Sequence, residues 1–494
     1  MSLPVDSIAL HARLSPARFA ARDLSLGQSW SYAGLDRLTG RLSALLRERG
    51  CEPGERVATL ARNSVWLVAL HFACSRIGAV YAPLNWRLGA SELRTLIDLA
   101  SPRLLLGDAM AGGLPEAVAL DAFVREAESR EPLTQDLAAQ PDRLSLLLFT
   151  SGTSGKPKGV MLTEDNLLQT AINFGVCARV APDSSFLCEA PMFHVIGLVT
   201  NVRPALTFGA SIQVSEGFEP ERTLGWLSDP QLGISHYVGV PQMIEALRSQ
   251  PHFDPAPLRR LTALIAGGAP HAPEAIAAWL DDGVAMASGF GMSEAGTVFG
   301  TSVDREAIRA RLGSVGLPGP SVQARVVDIE GRDCPPGAPG ELRLRGPNLF
   351  IGYWQDSEAS ARAFDADGWF ATGDVVRRDE EGFFWIVDRM KDMYISGGEN
   401  VYPAEIESAL SGYPGIAQCA VVGVPDRQWG EAGYLAIVAS NSDLREDEVL
   451  AFLSARLARY KLPRHVRIVS ELPRTATGKL QKARLREMFR ESEY

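Results

Sequence analysis

A chain of 494 residues with 46% hydrophobic content has the material for a large globular protein of two or more domains, which excludes a disordered or fibrous chain. Its formal net charge of -10 excludes a general attraction to nucleic acid or anionic membrane, so any anionic ligand must be held by local groups. The six cysteines, Cys51, Cys74, Cys177, Cys188, Cys334 and Cys419, contain no C-x-x-C pair, which argues against a zinc site or a disulfide framework and points to a reducing compartment, by default the cytoplasm.

The N-terminal stretch MSLPVDSIALHARLSPARFAARD is broken by charge and proline before an apolar core of signal-peptide length accumulates. No later stretch approaches the ~18 uninterrupted apolar residues of a membrane span, so a soluble, unprocessed protein is the expectation. Over 31–49, Tyr32, Leu35, Leu38, Leu42, Leu45 and Leu46 recur at helical spacing, and Gly50 supplies a stop. Residues 56–60 read as a strand, 65–77 as an apolar helix and 78–84 as a second strand; 90–99 and 103–106 repeat the alternation. A largely parallel sheet with helices on its faces follows from that pattern.

The run 144–163, LSLLLFTSGTSGKPKGVMLT, passes from apolar residues into small hydroxyl residues, glycines and two lysines and back again. Thr150, Ser151, Thr153 and Ser154 offer hydroxyls, Gly152 and Gly155 let backbone N–H groups approach an anion, and Lys156 and Lys158 add positive charge. A flexible Gly/Ser hairpin is the plain alternative, but such linkers rarely sit between apolar runs. The spacing is not G-x-x-x-x-G-K-[ST] and no helical pattern follows directly, so a polyphosphate cradle is implied without a Walker-type fold.

Further along, 166–175 reads as a helix and 185–190 as a strand delivering Pro191, Met192, Phe193 and His194. The alternation recurs through 206–214, a helical 219–227, a strand at 234–240, a helix at 241–247 and a strand at 261–265. Each strand ends in Gly, Pro or small residues, as expected where the carboxyl edges of strands form a site. From 313 to 387 short segments separated by Gly and Pro, such as 322–327 and 340–344, read as a β-rich subdomain. The charged 388–392 follows a strand at 383–387 and is a candidate hinge. Beyond it, a helix at 404–410, strands at 417–424 and 434–439 and an amphipathic helix at 446–460 make a compact α+β domain.

Five further stretches accompany the 144–163 run: PMFHVIGL (191–198), IAGGAP (265–270), SGFGMSEAG (288–296), WFATGD (369–374) with VDRMKDMYISGGENVYPAEIE (387–407), and LPRTATGKLQK (472–482). Together, in this order, they resemble the adenylate-forming superfamily of acyl-CoA synthetases, nonribosomal adenylation domains and firefly-type luciferases, over most of the chain. The fold so implied is α/β, with parallel-type sheets, helices and a β-rich subdomain over 1–388 as an AMP- and acyl-binding domain. A hinge at 389–392 and a small mobile α+β lid domain over 393–494 complete it.

The resemblance implies two half-reactions. A carboxylate attacks the α-phosphate of ATP to give an acyl-adenylate and pyrophosphate, and a thiol then displaces AMP, so the protein mainly orients reactants and neutralises charge. Thr150, Ser151, Gly152, Thr153, Ser154 and Lys158 are expected on the β- and γ-phosphates, with Thr153 among the catalytic groups, and Glu294 on Mg²⁺. Gly267, Gly268, Ala269, Ser288, Gly289, Gly291 and Met292 are expected beside the nucleotide. Phe290 stands where the family usually has Tyr and keeps a ring for adenine without the phenolic hydroxyl, while Ser293 replaces the commoner Thr and keeps the hydroxyl.

Asp374 is expected to accept hydrogen bonds from the ribose hydroxyls and Arg389 to add a donor there, the plain alternative being a turn-forming Asp after Gly373. Lys479 by composition is a solvated lysine; the resemblance makes it the lysine that reaches the carboxylate and α-phosphate. Lys482 and Arg484 read as surface charge. Lys391 matches the hinge position, and rotation about it is expected to bring Gly397, Gly398 and Glu399 to the pantetheine thiol.

His194, Val195, Tyr237, Gly239, Val240, Gly267, Gly289 and Met292 are the expected acyl-binding residues. His194 has three readings: a satisfied, partly buried residue, a lining of the acyl pocket, or a general base, the last weakened because a carboxylate nucleophile needs no deprotonation at neutral pH. No acidic residue follows Phe193 to pair with an amino-acid ammonium; Val195, Ile196, Gly197 and Leu198 follow His194 instead, so the acid expected is apolar or aromatic, of fatty, benzoate or cinnamate type. ISGGEN with YPAEIE resembles the CoA ligases, making CoA the expected acceptor, with a separate carrier protein as the alternative. The partners expected are a small carboxylic acid, ATP with Mg²⁺, and CoA, without nucleic acid or integral membrane association; oligomeric state, a dimer included, is open.

Overall fold

The computed structural model describes residues 6–112, 114–133, 142–151, 157–269, 271–396, 399–426, 428–441, 444–474 and 480–492. The chain divides into two compact units, Met1–Ala324 with Leu344–Phe370 and Arg325–Arg343 with Ala371–Tyr494, so the short-strand stretch from 313 to 387 is shared between them.

The first unit is built on two sheets. In one, Val118–Ala119, Leu104–Gly107, Arg56–Leu60, Val80–Pro83 and Leu144–Ser151 run parallel in that order, and Pro157–Thr163 closes the edge antiparallel to Leu144–Ser151. The other has nine strands. Its parallel middle carries Met286–Met292, Ala263–Ala266, His236–Gly239, Ser185–Cys188, Ser211–Val214 and Phe19–Asp23 in spatial order, with antiparallel partners at both ends. Helices that run into these sheets have local start and stop signals. Ser64 caps Val65–Ile77 by accepting from the Leu67 N–H, and Gly78 ends it with φ +82°, a left-handed conformation that glycine adopts without a Cβ clash. Almost every side chain of that helix is buried, as expected of an apolar segment lacking a polar face.

The helix Glu164–Cys177 starts at once after the edge strand. Thr163 and Asn166 cap it reciprocally, each side chain accepting from the other's backbone N–H. Its first residue, Glu164, is buried and accepts from Ser75 Oγ at 2.6 Å, from Ser145 Oγ, and from Arg203 Nη2 at 3.1 Å. Arg203 Nε in turn donates to His71 Nε2 at 2.9 Å. Burial alone pushes the Glu164 carboxyl up, but the Arg203 guanidinium and the two hydroxyls outweigh it and hold the group at about 2, so the core contains a paired, ionised carboxylate.

In the second unit, Phe370–Arg378 pairs antiparallel with Phe384–Arg389, the end of a four-stranded sheet. A five-stranded sheet follows, with Gly430–Ala439 between Ile416–Asp426 and Tyr394–Ser396, and His465–Ile468 parallel to it. Neighbouring residues point to opposite faces: Val421 and Leu435 pack with Ile406, Val449 and Leu453, whereas Val422 and Tyr434 pack with Leu485 and Phe489. Helix therefore covers both faces. The helix expected over 446–460 ends at Ser454, because both the Arg456 and Leu457 N–H groups turn back to the Leu453 carbonyl and tighten the last turn; a 3₁₀ turn follows at Arg459–Lys461. The helix Lys482–Ser492 was not expected, since within a charged stretch only Leu485, Met488 and Phe489 mark its buried side. No helix among the described residues is long and apolar enough to cross a membrane.

Candidate active site

The 144–163 run is a hairpin: Thr150 lies opposite Lys158 and Ser151 opposite Pro157. Gly152, Thr153, Ser154 and the rest of the turn through Lys156 lie outside the described residues. Lys158 extends its ammonium over the Tyr353 ring, 4.4 Å from the centroid, and the Tyr353 hydroxyl donates to Glu294 Oε1 at 3.0 Å. The turn after Met286–Met292 places Glu294, and the Phe350 N–H donates to the Glu294 carbonyl at 2.7 Å. Among the described residues no cluster of three His, Cys, Asp or Glu side chains is placed to hold a metal. Glu294, with one oxygen engaged by a neutral hydroxyl and no cation bonded to it among the described residues, fits a Mg²⁺ that takes one carboxylate and otherwise substrate phosphates and water.

Beside this polar set, an apolar cavity of about 100 Å³ opens within the same unit. One wall is backbone: Gly267 and Gly268 follow the Ala263–Ala266 strand, and Ser288, Gly289, Phe290 and Gly291 belong to Met286–Met292. The facing wall is the helical stretch after His194, where Val195, Ile196 and Thr200 point inward. Leu198–Val202 forms a π-helical turn, and both Thr200 Oγ1 and Asn201 Nδ2 donate to the Ile196 carbonyl, satisfying the widened ladder. Phe174, Cys177 and Gly300 also line it. A Cβ at Gly300 would lie 2.6 Å from the Cys177 Cβ, so glycine is required there for the strand to approach the helix.

Of the expected acyl-binding residues, Val195, Gly267 and Gly289 line this cavity; His194, Tyr237, Gly239, Val240 and Met292 do not. Val240 instead lies 3.5 Å from where a Gly268 Cβ would stand. Phe290, expected on adenine, lines the cavity and packs on Phe299 with centroids 5.8 Å apart, while Ser288 is tied to Thr301 through N–H and carbonyl at 2.9 and 3.0 Å. Phe174, Cys177, Thr200 and the strand Gly296–Gly300 are the part that sequence reasoning missed. The glycine spacing of Gly296, which closes GMSEAG, and Gly300 was the available signal of close packing.

His194 is half-buried, with its ring 4.5 Å from that of Phe193; burial, assisted by the Arg87 guanidinium, pulls its imidazole down to about 4. It is therefore neutral at physiological pH, as a lining residue would be. The turn that carries it is fixed by Asn63, whose Nδ2 donates to the carbonyls of Glu189 and Ala190 and whose Oδ1 accepts from the Met192 N–H at 2.9 Å. The Glu189 side chain is buried and accepts from Thr223 Oγ1 at 2.8 Å and Tyr237 Oη at 3.2 Å. Burial dominates there and raises the carboxyl to about 7. Tyr237 is thus a support for Glu189 beneath the turn.

In the second unit, Asp374 and Arg389 face each other across the strand pair, with Arg389 Nε 2.6 Å from the buried Asp374 Oδ1. The strand continues through Asp388 and Arg389, leaving Met390 to Met393 as the connection; Lys391 is exposed on it. Glu399 begins a strand that pairs with Tyr394–Ser396, and Gly397, Gly398 and Lys479 lie outside the described residues. Lys482, expected as surface charge, is largely buried, with Nζ 3.8 Å from both Asp392 Oδ2 and Glu407 Oε1.

Residues 8–354 match the family model of the AMP-binding enzymes, and 405–479 match that of the AMP-binding enzyme C-terminal domain. A feruloyl-CoA synthase from Amycolatopsis sp is 39% identical over 484 residues, 97% of each chain. An indoleacetate–CoA ligase from Aromatoleum aromaticum is 37% identical, over 97% of this chain and 96% of the relative. ATP-bound MatB from Rhodopseudomonas palustris superposes with a TM-score of 0.89 at 32% identity, covering 98% of this chain and 99% of that one. The chain belongs to the AMP-binding enzyme family, in its acyl-CoA and aryl-CoA ligase branch.

Proposed function

We propose that this protein is an ATP-dependent, AMP-forming ligase that joins an aromatic carboxylic acid of cinnamate size to CoA through an acyl-adenylate. The observation that carries the choice of acid is the cavity: about 100 Å³, walled by glycine backbone and by Val195, Ile196, Phe290, Phe174 and Cys177. A flat aromatic ring packs against backbone and apolar walls of this kind. The feruloyl-CoA and indoleacetate relatives, both named for aromatic acids, support the same reading.

In this reading the 150–158 hairpin holds the β- and γ-phosphates, with Lys158 neutralising charge that grows on the departing pyrophosphate. Mg²⁺, when bound at Glu294, supplies further charge stabilisation on those phosphates. Asp374 and Arg389 hold the ribose, and Lys479 reaches the reacting carboxylate and α-phosphate. After adenylation, movement about Lys391 brings Gly397, Gly398 and Glu399 to the pantetheine arm. Neutral His194 lines the approach to the carboxylate and takes no proton from it. CoA, rather than a carrier protein, is the acceptor, and the cytoplasm is the compartment that suits six free thiols.

A pyrophosphate-release screen of aryl, medium-chain, long-chain and dicarboxylic acids tests the choice. Cinnamate-type acids should give the highest kcat/KM; a long-chain acid in first place would overturn it. Gly398→Leu should leave pyrophosphate release intact and block thioester formation with CoA.

A further inference from the structure

We propose that Tyr353 is a positioning residue that holds Lys158 and Glu294 apart, so that the cation stays available to the phosphates and the carboxylate to the metal. The inference rests on the roles given to those two residues above. Three observations carry it. The Tyr353 ring face carries the Lys158 ammonium at 4.4 Å from its centroid, and its hydroxyl donates to Glu294 Oε1 at 3.0 Å. Among the described residues Lys158 is in no ion pair, and the Glu294 side chain has no other bond. Tyr353 is itself fixed: its N–H donates to Ser360 Oγ at 2.8 Å, and the Phe350 ring meets it edge-on at 4.9 Å.

The surrounding backbone makes the tyrosine a bridge rather than a bystander. The Trp354 N–H donates to the Gly159 carbonyl, the Met161 N–H to the Gly352 carbonyl and the Ile351 N–H to the Met161 carbonyl, which stitches 351–354 to the hairpin's second strand. At its other end Phe350 bonds the Glu294 carbonyl, and Asn348 Nδ2 donates to the Ala295 carbonyl at 2.8 Å. One short strap therefore sets the position of both charged side chains.

A lysine and a glutamate that contact the same side chain can pair directly once it is gone, and each would then be lost to its ligand. Tyrosine prevents the pairing by offering a different surface to each charge, a π face to the ammonium and a hydroxyl to the carboxylate. A cation–π contact leaves the ammonium N–H groups largely available, and a single accepted bond leaves Glu294 Oε2 for a cation.

The test compares Tyr353→Phe with Tyr353→Leu by Mn²⁺ binding in the presence of ATP, read from the electron paramagnetic resonance of free Mn²⁺, and by calorimetric ATP binding without metal. Tyr353→Phe should weaken Mn²⁺ binding about tenfold and leave metal-free ATP binding and the KM for the acid unchanged. Tyr353→Leu should also weaken metal-free ATP binding, by about three- to tenfold. Adding Glu294→Gln to Tyr353→Leu should restore ATP binding, because the carboxylate that captures Lys158 is gone. Unchanged Mn²⁺ binding in Tyr353→Phe, or no restoration in the double variant, overturns the proposal. Lys158→Ala and Glu294→Gln separate the two levels: if neither changes ATP or Mn²⁺ binding, the assigned roles fail and the spacer fails with them; if both do and the tyrosine variants do not, only the spacer fails.

Discussion

Two buried glutamates in the large unit mark two differently built halves of the site. Glu164 stands at the foot of the 144–163 hairpin, where Ser145 at the hairpin's base and Glu164 just past its end bond to one another, and Arg203 keeps the carboxylate charged. Glu189 stands under the turn carrying His194, where the Thr223 and Tyr237 hydroxyls bond its carboxyl and burial raises it to about 7. The phosphate side is thus held by charge and directed side-chain bonds. The side carrying His194 is held by neutral side-chain bonds from Asn63, Thr223 and Tyr237 and by close-packed glycines. Changes to the first should depress the reaction for every acid alike, and changes to the second should reorder the acids.

The largest expected effect is on stability at the charged support. Arg203→Ala leaves Glu164 buried and unpaired and should cost about 3–5 kcal/mol by denaturant unfolding; a loss no greater than that of a surface Arg→Ala control would break the contrast. On activity, Lys479→Ala should reduce adenylation roughly 10²–10³-fold for all acids, while thioester formation from a supplied acyl-adenylate is largely spared. Equal loss in both half-reactions would remove Lys479 from the first.

The two glutamates also give opposite pH dependences. Between pH 4.5 and about 7 the unfolded chain has released the Glu189 proton while the folded chain keeps it, so stability falls as pH rises through that window, by up to about 3 kcal/mol. Glu164, depressed to about 2, contributes stability that is fully present above 4.5 and is lost as pH falls from 4.5 toward 2. The wild-type minus Glu189→Gln difference in unfolding midpoint should therefore slope downward only in the upper window. The smallest effect is in the cavity. Cys177→Val narrows the space beside Gly300 and should lower kcat/KM for bulky aryl acids about tenfold while leaving the ATP KM unchanged.

The same contrast explains what the sequence made legible. Helices such as Val65–Ile77 and strands such as Arg56–Leu60 came directly from periodicity, because one buried face or a fully apolar run leaves that trace. At 144–163 the flanking apolar runs were equally visible, but their pairing as a hairpin had been only the plain alternative to a phosphate cradle. Tyr353 was not: its partners are Lys158 and Glu294, and nothing local distinguishes a tyrosine that bridges them from one that packs. The part of the cavity lined by Phe174, Cys177 and Gly300 was hidden for the same reason, being assembled from the helix Glu164–Cys177 and the strand Gly296–Gly300. Lys482 looked like surface charge because its acidic neighbours Asp392 and Glu407 come from distant turns of the chain.

The central claim, that the charged half runs adenylation common to its family while the glycine-walled half admits a flat aromatic acid for transfer to CoA, is tested most directly by product analysis. Purified protein would be incubated with ATP, Mg²⁺, CoA and cinnamate- or fatty-type acids, and AMP and acyl-CoA quantified together by chromatography and mass spectrometry. The account predicts AMP and aryl-CoA in equal amounts, with cinnamate-type acids at least about tenfold ahead of long-chain acids in kcat/KM. ADP in place of AMP, an adenylate that CoA never discharges, or a long-chain acyl-CoA as the favoured product would contradict it.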